Sequence, residues 1–131
     1  MLAGVEVLRH RDRTYYTEAP WRGDWSSGGG VVMTQAIHYL DLLQWYLGDV
    51  EWVMAAADRF AHGDVIEVED TLAATLRFTS GAIAQFPAST AFTPGHGERI
   101  AVTGRNGATV GLLEYPEGRE AVTDVWTVPG A

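Results

Sequence analysis

The run from Gly28 to Gly48, GGGVVMTQAIHYLDLLQWYLG, is the one stretch long and periodic enough to read as a helix. A chain with a single such helix must build the rest of its core from strands. At about 100° per residue, Val32, Ala36, Tyr39, Leu40, Leu43 and Leu47 share one broad apolar arc, with Met33 and Ile37 at its edge. Thr34, His38 and Asp41 gather on the opposite side, beside Leu42 and Trp45. A surface helix usually dresses that side in Lys, Glu and Arg. One hydroxyl, one imidazole and one carboxylate suit a covered site better than open water.

Around this helix the pattern is β. Met1 to Glu18 reads as two strands about the polar turn Arg9 to Arg13, the second carrying Tyr15 and Tyr16. The arginine cluster reads first as a solvated loop and second as an anion contact. Pro20 to Gly30 is a loop anchored by Trp21 and Trp25, in which Asp24, Ser26 or Ser27 offers a helix cap. Its glycines allow either a phosphate cradle or a tight entry to the helix. The spacing is not G-x-G-x-x-G and no βαβ unit surrounds it, which favours the tight entry.

Past Gly48, strands are expected at Glu51–Phe60, Thr71–Phe78, Ala82–Phe92, Arg99–Thr103, Ala108–Leu113 and Ala121–Val128, with an acidic loop from His62 to Asp70. The Ser80-Gly81 and Asn106-Gly107 turns make two of these pairs hairpins. The expected fold is therefore α+β, a mostly antiparallel open sheet with one main helix on one face. In Thr71–Phe78, Leu72, Ala74, Leu76 and Phe78 would face the helix, and Thr71, Ala73, Thr75 and Arg77 the other way. That second face suits either solvent or another sheet. The scarcity of charge tilts the reading toward a homo-oligomer formed through the open face.

The chain of 131 residues reads as one domain, 1–131, with 47% apolar and 20% charged residues, a composition that packs a core. A net charge of −8 argues against nucleic acid and membrane surfaces as partners. No apolar run is long enough to span a bilayer and no signal peptide opens the chain, and without cysteine a cytoplasmic setting is the expectation. All nine basic residues are arginine, so any chemistry needing an ε-amino group must come from elsewhere.

His38 and Asp41 admit three readings: a ligand pair, an acid–base pair, or ordinary surface polarity. The company of Thr34, the uncharged surroundings and the glycine-rich approach favour chemistry. An imidazole, titrating near neutrality, is suited to taking a proton from a hydroxyl. Arg22, on the loop leading to the helix, could bind an oxyanion or polyol through forked hydrogen bonds. His10, His62 and His96 lack metal-ligand spacing, so no metal is expected, and no G-x-S-x-G elbow supports a serine nucleophile.

In order, Tyr15-Tyr16, Trp21-Arg22-Gly23, the three glycines, His38-x-x-Asp41, Trp45 and Gly48 resemble the C-terminal domain of the glucose–fructose oxidoreductase/inositol dehydrogenase/MocA-type family. So do Glu67-Val-Glu-Asp70 and the Ser80-Gly81-Ala82 turn. The resemblance implies the substrate-binding and oligomerisation domain of an NAD(P)-dependent oxidoreductase acting on a sugar or polyol. It implies that NAD or NADP and a lysine belong to an N-terminal Rossmann domain absent from this chain, which alone would bind no cofactor and not turn over. The family carries an Asp-x-x-x-His pair on this helix. His38 matches the histidine, while Thr34 stands where the aspartate would be. His38 and Thr34 are thus the expected catalytic residues, and Arg22, Tyr16, Trp21 and Asp41 the expected substrate contacts. The chain reads as an excised or truncated domain beginning just after the domain crossover. Competing readings are a stand-alone, non-catalytic dimerisation or sugar-binding module and a small metal-dependent hydrolase.

Overall fold

The computed structural model describes residues 1–114 and 122–130. The chain opens with strand β1 (Leu2–Leu8), followed by a short helix α1 (Arg13–Thr17) and one turn of 3₁₀ helix at Pro20–Gly23. Helix α2 starts as a wide π turn over Val32–Ala36 and continues as α-helix over Ile37–Leu47. Strands β2 (Val50–Asp58), β3 (Thr71–Phe78), β4 (Ile83–Ser89), β5 (Gly97–Thr103), β6 (Thr109–Glu114) and β7 (Val122–Thr127) complete it. Ala121, expected to open the last strand, lies outside the described residues.

The seven strands form one open sheet in the order β2-β3-β4-β1-β5-β6-β7. Every pairing is antiparallel except β1 with β4. The α+β architecture matches the expectation, and the hairpins β3/β4 and β5/β6 form where the turn residues placed them. Two readings are corrected. Tyr15 and Tyr16 sit in a helix, because the Asp12 carboxylate accepts from the Tyr15 backbone N–H and caps that turn. The strand expected to run to Phe92 stops at Ser89.

Alternation puts one side of β1, β3, β4 and β5 under α2. Ala3, Val5 and Val7 of β1, Ala84, Phe86 and Ala88 of β4, Leu76 and Phe78 of β3 and Ile100 of β5 are buried against Val31, Ala36, Tyr39, Leu43 and Leu47. Each large side chain so buried contributes about 1.5–3 kcal/mol relative to exposure. The helix repeat explains one departure from the expected arc. The wide turn inserts a residue between the first two core positions, so Val31 occupies the core and Val32 only lines it. Gly48, with φ +88°, ends the helix and bonds back to the Gln44 carbonyl.

Among the described residues, no helix covers the reverse side of the sheet. There Met54 and Ala56 stand beside Ala73 and Thr75, and then Gln85 and Gly4, in register across four strands. Glu6 faces Arg99 on the same side. Strand β2 extends beyond the helix and is exposed along its whole length. A smaller cluster of Tyr16, Ile66 and Val68 packs the ends of β1 and β4 against the 59–70 loop.

Candidate functional site

The start of α2 is held by the loop before β3. The Val31 N–H donates to the Glu69 carbonyl, and the Val32 N–H to the Glu69 carboxylate at 3.3 Å. A carboxylate at a helix N-terminus is favoured by the helix dipole. The phosphate-cradle reading is therefore overturned, since an acidic side chain already occupies the N–H groups that an anion would use. Nor do Asp24 and the serines cap the helix. Asp24 instead accepts from the backbone N–H and hydroxyl of Ser26, which hold its pKa below the ordinary value.

The glycines make this close approach possible. A Cβ on Gly30 would lie 1.8 Å from the Glu69 carboxylate, and one on Gly28 2.1 Å from the Trp21 carbonyl oxygen. Neither glycine has a positive φ, so contact alone decides the effect of a side chain. Gly30→Ala displaces a flexible side chain and is expected to cost about 1 kcal/mol, the value of a helix cap. Gly28→Ala pushes against backbone and should cost more, about 1–3 kcal/mol. Urea midpoints of the two variants check the order.

Asp70, fully buried beside this cap, organises the 59–70 loop. Its carboxylate accepts from the N–H groups of Phe60, Ala61 and His62 at 2.8, 2.9 and 3.0 Å and from the Thr71 hydroxyl at 3.0 Å. Burial alone would raise its pKa, but these donors outweigh that and hold it below the usual carboxylate value.

On the helix, Thr34 is half-buried, and its hydroxyl donates to the Gly30 carbonyl at 2.9 Å. The hydroxyl proton is thus committed inward, leaving the oxygen free to accept from a ligand hydroxyl. His38 is exposed, and among the described residues no hydrogen bond or ion pair engages its ring. Asp41 is exposed as well and makes no bond to His38 among the described residues. An imidazole open to solvent one turn from an oriented hydroxyl is accessible to a substrate, and no bond to another described residue restrains it.

Facing the same end of α2 is an arginine–tyrosine cluster. The Arg22 guanidinium lies 4.1 Å from the Tyr15 ring centroid and donates to the Tyr15 carbonyl at 2.9 Å. Arg11 lies 4.9 Å from the same ring. Gln35 of the helix donates to the Tyr15 hydroxyl at 2.8 Å and receives Arg11 at 3.5 Å. Trp21 is largely exposed beside Arg22.

Tyr16, expected as a substrate contact, is buried on this chain. Its ring packs on His62 and its hydroxyl bonds Thr90 at 2.7 Å, while burial raises its pKa. Nor is the Arg9–Arg13 cluster a free solvated loop, because Arg9 pairs with buried Glu98 and Arg13 with Asp64. Tyr15, Gln35, Glu69 and Arg11 were not among the expected site residues. The signals available were the arginine cluster read secondly as an anion contact, the motifs that contain Tyr15 and Glu69, and the adjacency of Gln35 to Thr34. Among the described residues no cluster of three or more His, Cys, Asp or Glu is placed to hold a metal, and no helix is long and apolar enough to cross a membrane.

The model of the family described as GFO/IDH/MocA C-terminal domain matches residues 2–110. The fold superposes on the WlbA dehydrogenase from Bordetella pertussis, solved in complex with NADH and UDP-GlcNAcA, with TM-score 0.87 and 34% identity over 99% of this chain and 39% of that one. The WlbA dehydrogenase from Chromobacterium violaceum, in complex with the same two molecules, gives 0.79 and 32% identity over 90% of this chain and 36% of that one. An inositol dehydrogenase homologue from Azotobacter vinelandii, complexed with NADH and myo-inositol, shares the fold at TM-score 0.67 and 18% identity, over 93% of this chain and 34% of that one. The chain therefore spans well under two thirds of each of these proteins. No curated protein gives a significant sequence match.

Proposed function

This chain belongs to the GFO/IDH/MocA C-terminal domain family, and from that premise we propose that it is the substrate-facing domain of an NAD-dependent oxidoreductase acting on a sugar or polyol hydroxyl. The observation that carries the reading is the exposed, unengaged His38 one turn along α2 from the inward-bonded Thr34 hydroxyl. The two WlbA structures above 30% identity, with NADH and a sugar nucleotide bound, support the reaction class.

The start of α2 does not fit the pyrophosphate of a dinucleotide. The helix start that could receive a pyrophosphate is filled by Glu69, and the glycines before it are packed against Trp21 and Glu69. The nicotinamide nucleotide belongs to a separate domain. What this chain supplies is a place for the sugar and a route for its proton. A hydroxyl being oxidised to a carbonyl loses its O–H proton, and the His38 imidazole takes it. Thr34 accepts from a neighbouring hydroxyl and fixes which carbon is presented. Asp41 and Trp21, both exposed, are further candidate contacts for the sugar. To test the reading, this chain is joined to the nucleotide-binding domain of a WlbA relative and sugar-dependent reduction of NAD⁺ is followed. Turnover by the fusion and none by the chain alone is the expected result. A fusion that binds NADH yet oxidises no sugar or polyol would refute it.

The bare side of the sheet is the second part of the proposal, a contact between copies of this chain. Small side chains at Ala73, Thr75, Ala56 and Gly4 make that side flat enough to meet another sheet. Ala73→Arg, at an exposed position, is expected to turn an oligomer into a monomer in sedimentation velocity without lowering the melting temperature.

A further inference from the structure

We propose that Arg22 and Arg11, mounted on the Tyr15 ring, form an anion-binding subsite next to His38, so that the sugar this domain takes carries a carboxylate or a phosphate. The inference rests on the sugar-site reading above and adds what selects among sugars. Two guanidinium groups share one ring, at 4.1 and 4.9 Å from its centroid. The contact with the ring occupies the flat face of the Arg22 guanidinium and leaves N–H groups along its edge. One of these donors bonds the Tyr15 carbonyl, and among the described residues no carboxylate pairs with the rest. A half-buried cation that meets a neutral carbonyl and the Tyr15 and Trp21 rings among the described residues is favourable ground for an incoming anion.

The recess around these groups is lined by His10, Arg11, Tyr15 and Arg22, together with Asp12 and Glu18. Asp12 is committed to capping α1 through the Tyr15 N–H, and Glu18 stands exposed at the rim. Gln35 ties the cluster to the catalytic helix by bonding the Tyr15 hydroxyl. It stands on the same helix as His38, three positions ahead of it. An anion held by the arginines is therefore tied through Gln35 to the helix that carries the imidazole.

The test titrates the isotope-labelled 131-residue chain with four probes, following backbone amide shifts. The probes are myo-inositol, which is neutral; glucuronate, with a carboxylate only; glucose 1-phosphate, with a phosphate only; and UDP-glucuronate, with both. The expected result is that at least one anionic probe shifts the amides around Arg11, Tyr15, Arg22 and Gln35 and binds about tenfold or more tightly than myo-inositol. That advantage shrinks at high salt and disappears in Arg22→Gln, while Arg22→Lys retains part of it. Comparing glucuronate with glucose 1-phosphate tells which anion the clamp takes. Melting temperatures of both variants, with Arg11→Gln as an independent removal of charge, separate lost binding from lost folding. If myo-inositol shifts Thr34 and His38 while the anions gain nothing, or if folded Arg22→Gln and Arg11→Gln bind them unchanged, the clamp is refuted and the sugar site survives. If no probe perturbs the Thr34–His38 turn, both readings fall.

Discussion

Replacing His38 by alanine, in the fusion that joins this chain to a nucleotide-binding domain, is expected to lower kcat by about 10²–10⁴-fold, the usual worth of a positioned acid–base group. The side chain is exposed and bonded to nothing among the described residues, so its loss should change stability by no more than about 0.5 kcal/mol. A reduced rate would then report chemistry rather than unfolding. Because a proton acceptor acts mainly in the transition state, KM should move far less than kcat. Thr34→Val makes the complementary case, since it keeps the shape of the helix but removes the oxygen offered to a ligand. It should raise KM and relax which hydroxyl is oxidised. Unchanged turnover in His38→Ala would remove the imidazole from the reaction.

The larger structural effect is expected at Asp70. Asp70→Ala leaves the N–H groups of Phe60, Ala61 and His62 without the buried carboxylate that accepts from all three, at about 3–5 kcal/mol in total. The same loop presents Glu69 to the start of α2, so the damage should reach the helix as well. The pH dependence follows from the direction of the Asp70 shift. Its folded pKa is depressed, so the stabilisation is complete above the unfolded value of about 4 and is lost as pH falls through the lower folded value. Urea unfolding of wild type and variant should therefore give curves far apart at neutral pH that converge in acid. A constant gap between them, or none at neutral pH, would show that the carboxylate is not what organises the loop.

The parts of this structure legible in the sequence are those in which neighbours in the chain are neighbours in space. The Leu72, Ala74, Leu76, Phe78 alternation and the Asn106-Gly107 turn depend on local geometry, and both appear where expected. The helix face was legible from Ala36 onward, since its core residues repeat every three or four positions. Ahead of Ala36 the wide turn breaks that repeat, which is why Val31 rather than Val32 reached the core. Tyr15 and Tyr16 carry the preferences of strand residues, but a cap from Asp12 and packing against the 59–70 loop override a weak local bias. The clamp and the Glu69 cap could not be read in advance. Arg11 meets Gln35, and Val32 meets Glu69, only after strands distant in sequence have paired. Thr34 and His38 were accessible to a linear reading because both lie on one short piece of helix.

The position of β1 has a consequence for how the molecule comes together. Leu2 must find Ile83 on one flank and Thr103 on the other before either half of the sheet has a neighbour at its inner margin. The β3/β4 and β5/β6 ribbons can each close quickly on their own turns, yet they share no ladder with one another. The strand that precedes its two partners in the sequence thus acts as the final rivet, closing only once the residues through Thr103 have been made. Assembly should show a slow, concerted last phase in which α2 becomes protected from hydrogen exchange together with β1, instead of ahead of it.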